Sequence, residues 1–160
     1  MFLADRIALM RAGRIVQIGN PVDLYTRPAN AYAAAFFGEV NGVPGAARNG
    51  TVDTPLGPVP TDAADGAAVE VLIRPEALRL SLEAAPSSSA SGLPPVPARV
   101  TAARLLGRSS LVHLDVPDGA GGSVHLHSRM PGQFLPPELS QVSISLDLRQ
   151  VFVFPVEGTT

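Results

Sequence analysis

The sequence predicts a mostly β fold: a small closed or nearly closed barrel preceded by a β-hairpin and two short helices. Short apolar stretches alternate with turns rich in glycine and proline from residue 41 onward, a pattern typical of small barrels. Helix-start signals occur within residues 1–40, before that pattern begins. The 160 residues are 46% hydrophobic, which is enough apolar material for a core.

Residues 1–40 differ in pattern from the rest of the chain. Apolar residues at 7–10 and 15–18 flank a polar stretch that contains Gly13. This arrangement predicts two strands joined by a short turn, because glycine accepts the backbone angles that a tight turn needs. We therefore expect a hairpin at the start of the chain.

Two short helices are expected after the hairpin, each with an asparagine in the capping position. Asn20 precedes a helix predicted over residues 22–25, and Asn30 precedes the stretch AYAAAFF. An asparagine oxygen at this position accepts a hydrogen bond from the first helical turn. Tyr32 and Phe36 share one face of the second helix, which we interpret as buried core.

The remainder, residues 41–160, is predicted to be one β domain. Its strands are expected at residues 46–48, 51–54, 68–73, 78–82, 98–105, 111–116, 124–127, 142–146 and 151–154. Asn49-Gly50 favours a tight turn between the first two of these strands. The stretch TPLGPVP is interpreted as a rigid loop. Residues 83–97 are rich in serine and proline, which predicts a flexible linker.

The β domain contains two stretches that resemble each other. Val69–Arg74 followed by Leu78–Leu80 resembles Val142–Asp147 followed by Val151–Val153. Each stretch predicts a strand, a kink and a second strand. Two half-barrels of similar construction would explain the repeat.

Composition excludes several kinds of chemistry. The chain has no cysteine, so disulfides, thiol nucleophiles and thiolate metal sites are absent. All twelve basic residues are arginines, and without lysine neither a Walker A phosphate loop nor Schiff-base catalysis is available. These arginines are scattered along the sequence and the net charge is −2, which argues against nucleic-acid binding. No apolar run is long enough to insert directly into a membrane.

Three histidines are the strongest candidates for a metal site. His125 and His127 share a strand face, and His113 could lie opposite them across a hairpin. Two ligands on one strand are too few, and the sequence places no carboxylate beside them. We therefore interpret these histidines as exposed residues of a barrel strand and assign no metal, catalytic or cofactor-binding residue.

Arg74-Pro75-Glu76 allows two interpretations. The two charges could form a pair at a domain or subunit interface. Alternatively, Pro75 ends a strand because it cannot donate to the ladder, and the two charges are solvated. We favour the second interpretation.

Residues 3–41, LADRIALMRAGRIVQIGNPVDLYTRPANAYAAAFFGEVN, resemble the end of the nucleotide-binding domain of ABC-importer ATP-binding subunits. The stretches IRPEALRL (73–80) and VFVFP (151–155) resemble the OB-like regulatory barrel, called TOBE, that follows this domain in many such subunits. The resemblance implies that residues 1–40 are the tail of the nucleotide-binding domain and that residues 41–160 are the regulatory domain. The ATPase motifs of the family would precede Met1.

The resemblance implies a regulatory and dimerisation domain without enzymatic activity of its own. ATP and magnesium would bind elsewhere in the parent subunit, which would contact a permease and act in the cytoplasm at the inner membrane. We expect the chain to form a homodimer. The resemblance is strongest to ferric-iron importers, although polyamine and sugar importers share the layout. The alternative function is a sensing domain for a small ligand, such as an oxyanion or a metal ion.

Overall fold

A computed structural model describes residues 5–83 and 92–157 of the chain. The chain divides into two compact units, Met1–Val40 and Asn41–Thr160. Within the part that the structure describes, no helix has the length and apolar character needed to span a membrane.

The N-terminal unit begins with the predicted hairpin. Strands β1 (Ile7–Arg11) and β2 (Arg14–Gly19) pair antiparallel. The turn between them is formed by Ala12 and Gly13, whose φ angles are 51° and 76°. A glycine in the second position adopts this left-handed conformation without the steric cost that other residues meet. The hairpin prediction is therefore confirmed.

Both predicted helices are also present. Helix α1 spans Pro21–Thr26 and helix α2 spans Ala31–Phe37. The side-chain oxygen of Asn20 accepts a backbone N–H of α1 at 2.8 Å, and that of Asn30 accepts a backbone N–H of α2 at 2.9 Å. These bonds satisfy N–H groups that have no partner inside a helix, which is why each helix begins where it does.

The interpretation of Tyr32 and Phe36 as buried core is wrong. Their rings do share a face, with centroids 6.0 Å apart, but Phe36 is 60% exposed. The buried face of α2 is formed by Ala33 and Ala34 instead. Other large apolar side chains of this unit are exposed as well, namely Met10, Ile15, Ile18 and Val22. The N-terminal unit thus presents an apolar surface to its surroundings.

The C-terminal unit is built from short strands and two 3-10 turns. Its strands are β3 (Asn41–Arg48), β4 (Thr51–Thr54), β5 (Gly57–Pro60), β6 (Ala68–Ile73), β7 (Leu78–Ser81), β8 (Val96–Leu106), β9 (Ser109–Pro117), β10 (Ser123–Pro131), β11 (Gln141–Leu146) and β12 (Val151–Pro155). The 3-10 turns span Pro75–Ala77 and Leu148–Gln150. One sheet has the order β10-β9-β8-β11-β7, and the other has the order β12-β6-β3-β4-β5. The predicted mostly β fold is confirmed.

The β4–β5 region both confirms and corrects the sequence analysis. Asn49 and Gly50 form the predicted turn, with φ angles of 51° and 77°. The stretch TPLGPVP, in contrast, is not a loop, because its second half is strand β5. Leu56 and Val59 are buried in the core. The prolines led us to predict a loop, but β5 is an edge strand, where a missing N–H costs no ladder bond.

The first sheet curls until its end strands meet. Strands β7 and β10 are the two ends of this sheet. The Ser128 hydroxyl donates to the Leu78 carbonyl at 2.5 Å, and the Leu80 N–H donates to Met130 Sδ at 3.4 Å. Side-chain atoms of β10 therefore take the place of backbone partners where the barrel closes. We call this line of contact between β7 and β10 the seam.

The repeat suspected from the sequence is a real structural feature. β6 and β7 are joined by one 3-10 turn, and β11 and β12 are joined by the other. The two copies pair with each other, β6 with β12 and β7 with β11. The Arg74 N–H donates to the Gln150 carbonyl at 3.1 Å, and the Asp147 N–H donates to the Ala77 carbonyl at 2.9 Å. These bonds exchange equivalent positions, so a local two-fold axis relates the copies.

The predicted linker 83–97 is shorter than expected at its C-terminal end. Strand β8 begins at Val96 and so includes residues that we assigned to the linker. Leu93 packs against the hydrophobic core, which explains why the chain is already ordered before the strand. Residues 84–91, which form the middle of the predicted linker, lie outside the described residues. The core itself joins both sheets, and contains Val71 and Ile144 among its fully buried members.

Candidate functional site

The three histidines lie together on the exposed face of the β9–β10 hairpin. His127 is opposite His113 in the strand register, and His125 is opposite Asp115. His113 Nδ1 and His125 Nε2 are 3.1 Å apart, and His125 Nδ1 is 3.1 Å from an Asp115 carboxylate oxygen. These side chains form a hydrogen-bonded sequence from carboxylate to imidazole to imidazole, which we call the histidine chain.

The electrostatics of the histidine chain favour neutral His113. Burial lowers the pKa of His113, and positive charge on His125, His127 and Arg104 lowers it further. Asp115 is the carboxylate that the sequence analysis did not place beside the histidines. The signal was present in the sequence, because Asp115 follows His113 by two residues and so shares its strand face.

The side chains of the histidine chain serve as hydrogen-bond partners for one another. His125 uses one ring nitrogen toward Asp115 and the other toward His113. In residues 5–83 and 92–157, no group of three or more histidine, aspartate or glutamate side chains is arranged to hold a metal ion. The absence of a tight metal site therefore stays a prediction, to be tested by titration with zinc or ferric ion.

Arg74 contradicts the interpretation that both charges of Arg74-Pro75-Glu76 are solvated. Its side chain is completely buried, and its guanidinium carbon lies 5.5 Å from the centre of the Phe152 ring. Glu76 is partly exposed, with a carboxylate oxygen 3.7 Å from Arg129. Pro75 is the first residue of the 3-10 turn, in which Pro75 and Ala77 are buried. The stretch is thus a structural corner of the barrel with an internal cation.

A second charged centre lies in the other 3-10 turn. Arg149 donates to both oxygens of Asp147, at 3.0 and 2.9 Å. These hydrogen bonds lower the pKa of Asp147 to about 2, against the opposing effect of burial. Arg79, which lies on strand β7, is 3.6 Å from the same carboxylate. Asp147 therefore remains an anion throughout the physiological pH range.

A cleft beside the seam gathers arginines that are far apart in sequence. It has a volume of about 740 Å³ and includes Arg79, Arg108, Arg129, Glu76, Leu80 and Met130 among its lining residues. We call it the arginine cleft. The sequence analysis found only dispersed arginines, since no local pattern connects β7, the β8–β9 turn and β10. The closure of the barrel brings them together.

Comparison with known proteins identifies the family of this barrel. Residues 71–154, more than half of the chain, match the profile of the TOBE domain. The chain belongs to the TOBE-domain family. This match includes most of both copies of the strand–turn–strand repeat, together with the seam and the arginine cleft of the TOBE barrel.

The TOBE chain is also similar to ATP-binding proteins of importers. It is 39% identical over 87 residues to the spermidine/putrescine import ATP-binding protein PotA of Pseudomonas fluorescens, covering 49% of this chain and 24% of that protein. It is 44% identical over 80 residues to the Fe(3+) ions import ATP-binding protein FbpC of Streptomyces coelicolor, covering 49% and 23%. A longer match to the sn-glycerol-3-phosphate import ATP-binding protein UgpC of Chromohalobacter salexigens is 32% identical over 163 residues, covering 99% and 42%. The chain thus spans less than half the length of these relatives.

A solved structure supports the fold assignment. The cytoplasmic molybdate-binding protein ModG, in a form with molybdate bound, matches with a TM-score of 0.56 and 14% identity. The match covers 72% of this chain and 96% of that chain. At this identity the likeness concerns the fold alone, and it confirms the expected OB-like barrel.

Proposed function

We propose that this chain is the regulatory and dimerisation part of the ATP-binding subunit of an ABC importer. The observation that carries the proposal is that a TOBE barrel follows a segment similar to UgpC, in an alignment over 99% of the chain. In this proposal, residues 1–40 are the tail of the nucleotide-binding domain. The barrel would then tune the opening and closing of paired subunits.

The proposal places ATP hydrolysis outside these residues. A Walker A loop needs a lysine, and the chain has none. The chain would therefore have no enzymatic activity or cofactor of its own, and ATP and magnesium would bind the parent subunit. That subunit would work in the cytoplasm beside a permease in the inner membrane. Isothermal titration with Mg-ATP tests this part, and a micromolar dissociation constant would contradict it.

Homodimer formation by the 160-residue chain is supported by the apolar surface of its N-terminal unit, which the rest of the nucleotide-binding domain would cover in the parent subunit. Met10, Ile15 and Phe36 are each more than half exposed. A standard interface of roughly 1,600 Å² that covers such side chains gains more than association costs. Sedimentation equilibrium should give twice the monomer mass of 16.6 kDa. A monomer at tens of micromolar would refute the dimer, and a dimer that survives deletion of residues 1–40 would place the interface on the barrel.

For the imported substrate we propose ferric iron. The basis is the resemblance of the stretches FFGEVN and VFVFP to ferric-iron importer subunits, and the 44% identity to FbpC supports it. Polyamines and sugars are the alternatives, since similarity to a polyamine importer extends over a comparable length. The substrate would not contact this chain in any of these cases, because a binding protein and a permease would handle it.

A chimaera tests the regulatory role. Residues 1–160 would replace the matching segment of the Chromohalobacter UgpC protein, to which nearly the whole chain aligns. We expect the chimaera to retain ATPase activity and glycerol-3-phosphate import, because substrate choice lies outside this segment. The matched control is UgpC without the part that aligns with residues 41–160, which leaves the nucleotide-binding domain whole, and in it we expect ATPase activity without its normal regulation. A folded chimaera that behaves like the deletion would contradict the proposal.

A sensing role for the barrel is the second candidate function. The observation in its favour is the arginine cleft, because a sensor concentrates hydrogen-bond donors around a pocket and three arginines are among the residues that line this cleft. Sensing and dimerisation are compatible, since a ligand could bias the paired state of the barrels.

A further inference from the structure

We propose that the arginine cleft binds a small organic dianion of the phosphate monoester class. The proposal deepens the sensing role, and its consequence for transport rests on the proposed function. Binding itself does not rest on it, because the cleft lies within the barrel of this chain. The argument depends on charge, on the partners of each arginine and on the apolar part of the lining.

The charge of the cleft is unbalanced. Its lining residues include three arginines, Arg79, Arg108 and Arg129, and Glu76 is the one acidic residue among them. The lining thus carries two excess positive charges. A dianion matches this charge, whereas a neutral ligand or a monoanion leaves part of it uncompensated.

Two of the arginines of the cleft are largely exposed and are not held by a hydrogen bond to a carboxylate in the described residues. Arg79 lies 3.6 Å from an Asp147 oxygen, which is beyond hydrogen-bond distance, and its side chain is 63% exposed. Arg108 is exposed in the turn between β8 and β9, and no carboxylate within residues 5–83 and 92–157 forms an ion pair with it. Both guanidinium groups can therefore turn toward a bound anion.

Phosphate is the anion that suits guanidinium groups best. A phosphate monoester carries nearly two negative charges at neutral pH and has three acceptor oxygens. The planar guanidinium fork donates two parallel hydrogen bonds to such oxygens. Arginines on separate elements can thus engage different oxygens of one phosphate.

The rest of the cleft calls for an organic body on the ligand. Leu80, Met130 and Pro131 provide apolar lining beside the arginines. The Leu80 N–H is occupied by Met130 Sδ, so this part of the lining offers little hydrogen bonding. A volume of about 740 Å³ exceeds what a bare phosphate fills and lies in the range of small-molecule sites.

The test uses the 160-residue chain and phenyl phosphate, which joins a dianion to an apolar ring. Inorganic phosphate supplies the charge alone, and phenol supplies the ring alone. Calorimetry at constant ionic strength should show that phenyl phosphate binds about tenfold more tightly than inorganic phosphate, and that phenol does not bind measurably. Equal affinity for the two phosphates would overturn the organic part of the proposal.

Variants locate the site. Arg108→Gln should weaken phenyl phosphate binding by about fivefold or more. Because Arg108 is exposed, the circular dichroism spectrum and melting curve of the variant should match those of the wild type. Arg48→Gln is the matched control, since it removes the same charge from an exposed position outside the cleft lining, and it should leave binding unchanged.

Two results would overturn the site. One is the absence of phenyl phosphate binding at about 10 mM ligand. The other is equal weakening by Arg108→Gln and Arg48→Gln, which would indicate attraction by overall charge. Neither result bears on the UgpC chimaera, so failure of this site and failure of the proposed function are distinguishable.

Discussion

The two 3-10 turns of the TOBE barrel have the same backbone and opposite chemistry. Arg74 immediately precedes the first turn, and Asp147 immediately precedes the second. The strand registers on either side are identical once the copies are offset by 73 residues, as Ile73↔Val151 and Leu146↔Leu78 illustrate. At equivalent positions of the two-fold repeat, one copy thus has the buried cation Arg74 and the other has the anion Asp147.

The side-chain contacts of the two turns obey the same symmetry. Arg74 in the first copy lies over Phe152 in the second copy. Asp147 in the second copy lies near Arg79 in the first copy, at the position equivalent to Phe152. The two contacts join equivalent positions, but Arg74 and Phe152 form a cation–aromatic pair, whereas Asp147 and Arg79 form an ion pair.

This difference distinguishes the backbone bonds that both turns share from the side chains that are particular to each turn. The backbone exchange of N–H and carbonyl groups joins the two turns in the same way from each copy, and it does not depend on side chains. The first turn contributes an internal side chain to the core. The second turn keeps its carboxylate in contact with exposed arginines, next to the arginine cleft. We expect substitutions to be costly in the first turn and to act mainly through charge in the second.

The largest expected effect is that of Arg74→Ala. The Arg74 side chain is fully buried, so its removal leaves a cavity and removes the contact with the Phe152 ring. We expect the free energy of unfolding to fall by about 3 kcal/mol or more, as for other buried charged side chains. Urea denaturation followed by circular dichroism measures this loss.

Two further variants of this position and a control make the Arg74 measurement decisive. Arg48→Ala removes an exposed arginine and should change stability by less than about 0.5 kcal/mol. Arg74→Met retains most of the volume and separates packing from charge if the alanine variant does not fold. A loss in Arg74→Ala no larger than in Arg48→Ala would show that the first turn tolerates change as readily as the surface.

The second expected effect is that of Asp147→Asn, and it depends on pH. The pKa of Asp147 is about 2 in the folded chain, below the ordinary value of 3.8. Its charge therefore stabilises the fold fully above about pH 4, and this contribution is lost as pH falls toward 2. We expect the variant to be less stable than the wild type by about 1–2 kcal/mol at neutral pH, with the gap closing in acid.

Denaturation curves at a series of pH values test this dependence. Asp53→Asn is the control, because Asp53 is an exposed aspartate of strand β4. We expect that control to differ little from the wild type at every pH. A constant gap between Asp147→Asn and the wild type from pH 7 to pH 2 would show that the carboxylate charge is not the stabilising feature.

The fold could be predicted from sequence because its signals are local. Asn20 and Asn30 mark helix starts, and Asn49-Gly50 marks a turn, whatever the rest of the chain does. The errors arose where tertiary context decides. Phe36 is exposed because burial depends on what covers a helix face, and Pro58 lies in a strand because that strand is at an edge.

The candidate sites depended on long-range closure and were harder to predict. His113 and Asp115 share a face by simple alternation, so that pair could have been recognised. Arg79, Arg108 and Arg129 meet only because the barrel closes at the seam. The burial of Arg74 was equally hidden, since charged residues are rarely enclosed and the sequence offers no local sign of it.

The smallest expected effect concerns Arg149, and it tests whether the second turn acts through charge. Arg149 is largely exposed, yet it donates to both oxygens of Asp147. We expect Arg149→Ala to raise the pKa of Asp147 from about 2 toward the ordinary value of 3.8, with less loss of stability than Asp147→Asn. Carbon-detected NMR titration of the Asp147 carboxyl group measures the change.

Two variants complete the comparison of the turns. Arg79→Ala should raise the pKa of Asp147 less than Arg149→Ala does, because Arg79 is 3.6 Å from the carboxylate and Arg149 is 2.9 Å from it. Glu76→Ala changes the position in the first turn that corresponds to Arg149, and it should leave the titration of Asp147 unchanged. Changes of similar size in all three variants, upward for the two arginine variants and downward for Glu76→Ala, would mean that Asp147 responds to the overall field of the barrel. An effect confined to the arginine variants, and larger for Arg149, would show that the second turn is governed by its own ion pairs.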